Sequence, residues 1–193
     1  MDIRDIFNNL AFKWDEICSH DDFKLRKIIE LSTVKNGSKI LDVGTGTGVL
    51  VSYLLDTFPS SLTAIDISDN MISIAKSKYI GRDVNFVTGD IMDYNEGGFD
   101  YVFLYSVYPH FTDKKILFKH LHSIMNIEGK IVIAHSQSKE KINEVHSKSD
   151  HFQNHVLQSG TSTSRIMSNY FAIDMIIDNK DMYYVSGIKK ASK

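Results

Sequence analysis

Cysteine is nearly absent: Cys18 stands alone in 193 residues. No internal disulfide can form, which excludes a disulfide-stapled scaffold and is compatible with a reducing compartment. No long run of Lys or Arg occurs, and the formal net charge is −2. Binding through phosphate-backbone contacts favours a basic chain, so nucleic acid is not an expected partner. No apolar run approaches the length needed to cross a bilayer. The segment Met1 to Phe7 carries acids and lacks the unbroken apolar core of a secretory signal. Neither an internal repeat nor a linker is evident. With 42% hydrophobic and 24% charged residues the composition is that of an ordinary globular protein, and the length suffices to bury a real core. One domain over residues 1–193, cytoplasmic and without membrane contact, is the expectation.

What is present is strand and helix in alternation. Residues 1 to about 34 show two helical pieces: Ile3, Ile6, Phe7 and Leu10 form one i, i+3, i+4 stripe, and Leu25, Ile28, Ile29 and Val34 a looser one. Asp21 or Asp22 is placed to cap the second piece. Strands are predicted at Lys39–Val43, Leu62–Asp66, Val84–Val87, Phe99–Tyr105 and Lys130–His135, the last after a turn at Glu128-Gly129. Helices are predicted after Ser68 and Asp113, and from Ser138 to about Ser149. A loop over Gln158–Ser164, a short helix starting near Ser164, and a hairpin of Ala172–Asp178 with Met182–Ile188 complete the reading. Alternation of this kind signals a parallel doubly wound α/β sheet, here with an antiparallel C-terminal hairpin.

The chemistry concentrates in Ile40-Leu41-Asp42-Val43-Gly44-Thr45-Gly46-Thr47-Gly48. An apolar strand ends in an acid, and the tight glycine turn that follows can bring backbone N–H groups up to a nucleotide-like ligand. Asp42, Asp66 and Asp90 sit at the ends of the first three strands, on the side where open α/β sheets bind ligands. There Asp66 can bridge two ribose hydroxyls and Asp90 can accept from an adenine amine. A carboxylate at Asp42 suits an ammonium group better than a pyrophosphate. The glycine spacing is G-x-G-x-G, whereas a dinucleotide fingerprint would place its third glycine at Val49.

The run from Ile40 to Gly48 resembles the first motif of class I S-adenosylmethionine-dependent methyltransferases. Ala64-Ile65-Asp66-Ile67-Ser68, with Asn70-Met71 and Ala75-Lys76, resembles their second-strand acid and its helix, and Val84 to Ile91 resembles their adenine-contacting segment. The resemblance covers roughly residues 35–190. It implies a Rossmann-like seven-stranded sheet, S-adenosylmethionine as methyl donor, and a helical lid formed by residues 1–34, with an aromatic near the methionine portion; Trp14 is the candidate, although a lone Trp on an amphipathic helix more often serves as a core anchor. It also implies cofactor contacts from Asp42, Gly44, Thr45, Gly46, Gly48, Asp66, Ile67, Met71, Asp90, Ile91 and Tyr105.

Methyl transfer is an in-line displacement that needs an aligned nucleophile, and sometimes a base or a metal. The loops beyond the fourth and fifth strands are where the acceptor is expected. His110 and Tyr108 lie in the first of these loops and are the candidate catalytic residues; His135 ends the fifth strand, and His146 lies on the next helix. Ile142, Val145 and His146 are expected to share an inward face there. His155 follows in the next loop. Three neutral imidazoles among His110, His135, His146 and His155 could bind a divalent ion such as Zn²⁺ or Fe²⁺. Ordinary hydrogen-bonded histidines, or a lone general base at His110, are the alternatives, and Tyr105 and Tyr108 could simply line the pocket. Nothing resembles the Asn-Pro-Pro-Tyr motif of DNA amino-methyltransferases, so a small-molecule acceptor is expected. Two other readings stay open: a non-catalytic protein that binds S-adenosylmethionine or a metal, and an NAD-dependent oxidoreductase.

Overall fold

The computed structural model describes residues 2–191, which fall into two compact units, one ending at Asn95 and one beginning at Glu96. In the first, three short helices precede the strands: α1 (Ile3–Leu10), α2 (Trp14–Ile17) and α3 (Asp22–Ser32). The first expected helical piece is thus divided, with a 3₁₀ turn over Ala11–Lys13 between α1 and α2. Asp21 caps α3 as its sequence position suggests, its carboxylate accepting from the Lys24 N–H at 3.2 Å. Parallel strands β1 (Lys39–Val43), β2 (Ser61–Asp66) and β3 (Asn85–Thr88) alternate with α4 (Val51–Leu55) and α5 (Asp69–Lys78). Ile40, Leu41, Ala64 and Ile65 are buried on these strands, and Ser68 caps α5 by accepting from the Met71 N–H at 3.1 Å.

The second unit contains β4 (Phe99–Tyr105), α6 (Lys114–Ile124), β5 (Met125–His135), α7 (Lys139–Ser147), α8 (Gly160–Met167), β6 (Phe171–Asp178) and β7 (Tyr183–Lys189). Strand β4 is parallel to β5, whereas β7 is antiparallel to both β5 and β6. Seven strands take part in the Rossmann-like fold, in the order β3-β2-β1 within the first unit and β4-β5-β7-β6 within the second. Central strands β4 and β7 are almost wholly buried, while β6 alternates buried or half-buried with exposed residues along the sheet edge. Lys130 on β5 is buried, and Asp174 on β6 neutralises it at 2.9 Å. No helix among the described residues is long and apolar enough to cross a membrane.

Three local expectations are corrected. Strand β5 begins at Met125 rather than Lys130, because Phe99 pairs with Met125 and Tyr101 with Lys130, so the intervening residues, Glu128 and Gly129 among them, form an irregular excursion within the strand. Helix α8 starts at Gly160, inside the expected loop, since Ser159 caps it by accepting from the Ser162 N–H at 3.2 Å. Val145 is 52% exposed; Ile142, Asn143 and His146 form the inward side of α7 instead.

Close packing in the second unit is tested by glycine. A Cβ at Gly187 would lie 2.7 Å from Met167 Cε and 2.9 Å from the Ala172 carbonyl oxygen, whereas one at Gly89 would meet nothing within 4 Å. In urea unfolding, Gly187→Ala is expected to destabilise by about 2 kcal/mol and Gly89→Ala by roughly 0.5 kcal/mol or less; equal effects would contradict the packing described.

Candidate functional site

The first unit gathers its polar groups around the glycine turn after β1. Gly44, Gly46 and Gly48 all have positive φ, at 68°, 56° and 87°, which a residue without Cβ adopts at no steric cost. Gly48 is also required by packing: a Cβ there would lie 2.8 Å from the Tyr79 ring, whose hydroxyl donates to the Gly48 carbonyl at 2.8 Å. The turn is pinned to the end of β2 by N–H groups of Gly44 and Thr45, which donate to the Ile65 carbonyl at 2.8 and 3.1 Å.

Two buried carboxyl groups face this turn from within. Asp66 accepts from the Gly46 N–H at 2.8 Å and from the Ser68 N–H at 2.9 Å. Asp42 accepts from the Thr45 hydroxyl at 2.7 Å. Burial pushes the Asp42 carboxyl up to about 7, opposed by the Thr45 hydrogen bond and reinforced by Asp66; burial also raises Asp66 against its backbone donors. The field at the turn is therefore acidic, and one turn N–H is already committed to a carboxylate. That arrangement disfavours a pyrophosphate and favours a ligand that brings a cation and hydroxyl donors. Asp90, half-buried, caps the 3₁₀ turn Ile91–Asp93 by accepting from the Met92 N–H at 2.9 Å. Met71 and Ile91 are buried, and Ile67 is part-exposed beside Asp66.

Helices α1 and α2 are tied to the same turn by contacts that sequence patterns did not reveal. The Thr47 hydroxyl donates to Asp15 at 2.6 Å, and Lys78 pairs with the other Asp15 oxygen at 2.5 Å. Asn8 accepts from the Ser68 hydroxyl at 2.6 Å and the Asn70 N–H at 3.1 Å. Trp14 stacks edge-on with Phe7, centroids 5.8 Å apart, and its Nε1 lies 3.6 Å from where a Gly46 Cβ would stand. The only signals available in sequence were a lone Trp and an acid following it.

The second unit brings together the histidines of the loops after β4 and β5. His110 lies in the 3₁₀ turn Tyr108–His110. Its Nδ1 is 2.7 Å from His155 Nδ1, and its ring centroid is 5.0 Å from His155, 5.3 Å from His146 and 4.9 Å from Phe152. The Nδ1–H of His146 donates to the His155 carbonyl at 2.5 Å. His135 is fully buried at the end of β5, edge-on to Tyr183, and neither ring nitrogen has a hydrogen-bond partner among the described residues. Burial drives His135 down to about 3 and His110 well below the ordinary imidazole value, with the neighbouring histidines adding to the effect; His155 is lowered for the same reasons. These rings are neutral at physiological pH. Among the described residues no group of three or more His, Cys, Asp or Glu is set at metal-holding geometry: of the expected ligands, His110 pairs with His155, His146 uses one nitrogen on the His155 carbonyl, and His135 bonds to none of them.

Two residues that sequence reasoning did not single out hold this cluster. Lys114 donates to the carbonyls of Tyr108 at 2.6 Å, Pro109 at 3.2 Å and Phe111, fastening the His110 loop to α6, and burial pulls its ammonium down to about 8. Asn143 brackets Leu157, donating to its carbonyl at 3.0 Å and accepting from its N–H at 2.8 Å, which fastens the His155 segment to α7. Tyr108 serves in packing: its ring is buried against Phe118, 5.8 Å between centroids, with Thr163 bonding its hydroxyl. Tyr105 is buried and donates to the Ser136 hydroxyl at 2.8 Å.

Residues 41–133 match the family described as Methyltransferase domain. A malonyl-[acyl-carrier protein] O-methyltransferase of Ilyobacter polytropus is 35% identical over 112 residues, spanning 54% of this chain and 42% of that protein. A phosphoethanolamine N-methyltransferase of Triticum aestivum is 32% identical over 113 residues, spanning 56% of this chain and 23% of that one. The chain thus spans less than half the length of these curated relatives. Among solved structures, a Haemonchus contortus phosphoethanolamine N-methyltransferase bound to S-adenosyl-L-methionine superposes with a TM-score of 0.77 at 17% identity, over 99% of this chain and 60% of that one. The N-methyltransferase NodS of Bradyrhizobium japonicum does so with a TM-score of 0.71 at 14% identity, over 88% and 96%. At such identities the structural likeness speaks for the fold.

The buried Asp42 carboxyl sets a pH dependence. Its folded value is raised, so its burial costs nothing below the unfolded value near 3.8 and most above about 7. The stability advantage of Asp42→Asn over wild type, measured by urea unfolding of ligand-free protein, is expected to grow by on the order of 2–3 kcal/mol between about pH 5 and pH 8. An advantage independent of pH would contradict the burial cost.

Proposed function

We propose, from the premise that residues 41–133 belong to the methyltransferase-domain family, that this chain transfers a methyl group from S-adenosylmethionine to a small-molecule acceptor. One observation carries the reading: two buried carboxyl groups, Asp42 and Asp66, converge on a glycine turn whose Gly46 N–H is bound to one of them. An adenosyl amino acid has the groups that such a cradle needs. Asp42 receives its ammonium, Asp66 its ribose hydroxyls through lone-pair capacity left by its backbone donors Ser68, Gly46 and Ile67, and Asp90 its adenine amine. The backbone of Gly44, Thr45, Gly46 and Gly48 allows close approach, and Ile67, Met71 and Ile91 supply apolar surface. Helices α1 and α2 act as a lid, latched through the half-exposed Asp15–Lys78 pair.

The acceptor is assigned to the loops of the second unit that carry His110. A small acceptor agrees with the kinds of molecule named in the relatives, an acyl-carrier-bound malonyl group and phosphoethanolamine. Transfer needs alignment of the acceptor and exclusion of water. Lys114, by fixing three carbonyls of the Tyr108–Phe111 loop, is a positioning residue for that alignment.

Calorimetry tests the cradle. S-adenosylhomocysteine is expected to bind at micromolar strength and NAD(H) not at all; the reverse would sink the reading in favour of an oxidoreductase. Because the bound ammonium favours ionised Asp42, affinity should rise with pH by close to tenfold per unit below about 7 and level off above it. Below the plateau each binding event should release close to one proton, read from the buffer dependence of the heat. Binding without proton release at low pH would remove Asp42 from the ammonium site.

A further inference from the structure

We propose, on the reading of the glycine turn as the donor's cradle, that α1 and α2 form an asymmetric strap. It is hinged at Asn8 and latched at Asp15, and its opening at the Asp15 end sets how fast S-adenosylmethionine enters and the product leaves. The segment between these residues is not one helix: α1 ends at Leu10, a 3₁₀ turn covers Ala11–Lys13, and α2 starts at Trp14. A change of helix type is a place where a segment bends. Burial falls along the strap as well. Ile6 of α1 is buried, the turn buries Ala11, and α2 buries none of its residues. The end with fewest buried contacts is the end that opens first.

The two anchors differ in kind. Asn8 is joined to the start of α5 by three bonds between uncharged groups. Its Oδ1 accepts from the Ser68 hydroxyl at 2.6 Å and the Asn70 N–H at 3.1 Å, and its carbonyl accepts from Asn70 Nδ2 at 3.0 Å. Asp15 is joined to Lys78, the last residue of α5, at 2.5 Å, and to the Thr47 hydroxyl at 2.6 Å. The Asp15 and Lys78 side chains are 55% and 36% exposed, and an ion pair so exposed is weak and screened by salt.

The latch lies on the cradle itself. Thr47 is buried within the turn, between Gly46, whose N–H is bound to Asp66, and Gly48, which packs on Tyr79. Trp14, next to Asp15, holds its Nε1 3.6 Å from where a Gly46 Cβ would stand. A strap seated on backbone that the donor must approach has to lift for exchange. Both Asp15 oxygens are bound to protein groups, so removing them takes no contact from the donor. Loss of the latch therefore lowers the barrier to entry and to exit together, whereas loss of a direct contact raises the off-rate alone.

Trp14 is the only tryptophan in the chain, so its emission reports the latched end directly. Stopped-flow mixing with S-adenosylhomocysteine gives the on- and off-rates. Asp15→Ala and Thr47→Val are each expected to raise both rates roughly tenfold while calorimetric affinity stays within about threefold. Glu16→Ala, at the next acid on α2, should change neither rate. Wild-type rates should rise with NaCl as the Asp15–Lys78 pair is screened, and those of Asp15→Ala should not. Acrylamide quenching of Trp14 without ligand reads the strap apart from the donor, and should be at least about twofold more efficient in Asp15→Ala. A rise in the off-rate alone, rates that do not change, or equal quenching in Asp15→Ala and wild type would each overturn the gate. Failure of the cradle is a separate result, since wild type would then bind no S-adenosylhomocysteine by calorimetry.

Discussion

The hydrogen bond from the Gly46 N–H to Asp66 is the constraint on which the first unit depends. It requires Gly46 at a positive φ, a carboxylate at the end of β2, and Asp66 held buried by a second donor, Ser68. Ser68 in turn caps α5 and holds Asn8 of α1, so the chain that covers the turn is fixed by the element that follows Asp66. Strand end, turn, helix cap and N-terminal helices are linked through one carboxylate. Asp42, next to it, is at an energetic disadvantage when ionised, which under the proposed function an ammonium-bearing ligand would relieve.

The second unit solves a different problem. Its central strands are apolar and mostly buried, yet it concentrates neutral imidazoles where the parallel strands β4 and β5 end. Their supports are costly in chemical terms: a half-buried ammonium at Lys114 directs its hydrogen bonds to a single loop, and Asn143 commits both ends of its amide to one residue. Such expenditure on loop geometry is expected where side chains must be held in register with a small ligand.

Much of this organisation was readable from residue order. The alternation of strands and helices and the caps Asp21, Ser68 and Asp113 are set within a few residues of chain, so local pattern reports them, and the acids Asp42, Asp66 and Asp90 stood out by their place at strand ends, although the bond from Gly46 to Asp66 spans twenty residues. Other features depend on partners far away in sequence. Gly160 opens α8, where its N–H donates to Asp178 at 2.8 Å, a hairpin residue. Val145 faces out because Asn143, with an amide that reaches Leu157, takes the inward position that hydrophobicity suggested for a valine. Lys114 looks like one more solvated helix residue until three carbonyls are seen to converge on it. Convergence of His110, His146 and His155 was legible from topology, but their pairing was not, since it rests on ring tautomers and on a backbone carbonyl.

The central claim is catalysis through the acidic cradle, and it is tested most directly by following an isotopically labelled methyl group. Protein incubated with methyl-labelled S-adenosylmethionine and a panel of small amines, carboxylates, thiols and phospho-amines should label at least one acceptor. Asp66→Ala protein that remains folded should lose that labelling. Label transfer that persists unchanged in Asp66→Ala, or wild type that binds the donor and labels none of the panel nor any small molecule of a cell extract, would contradict the account.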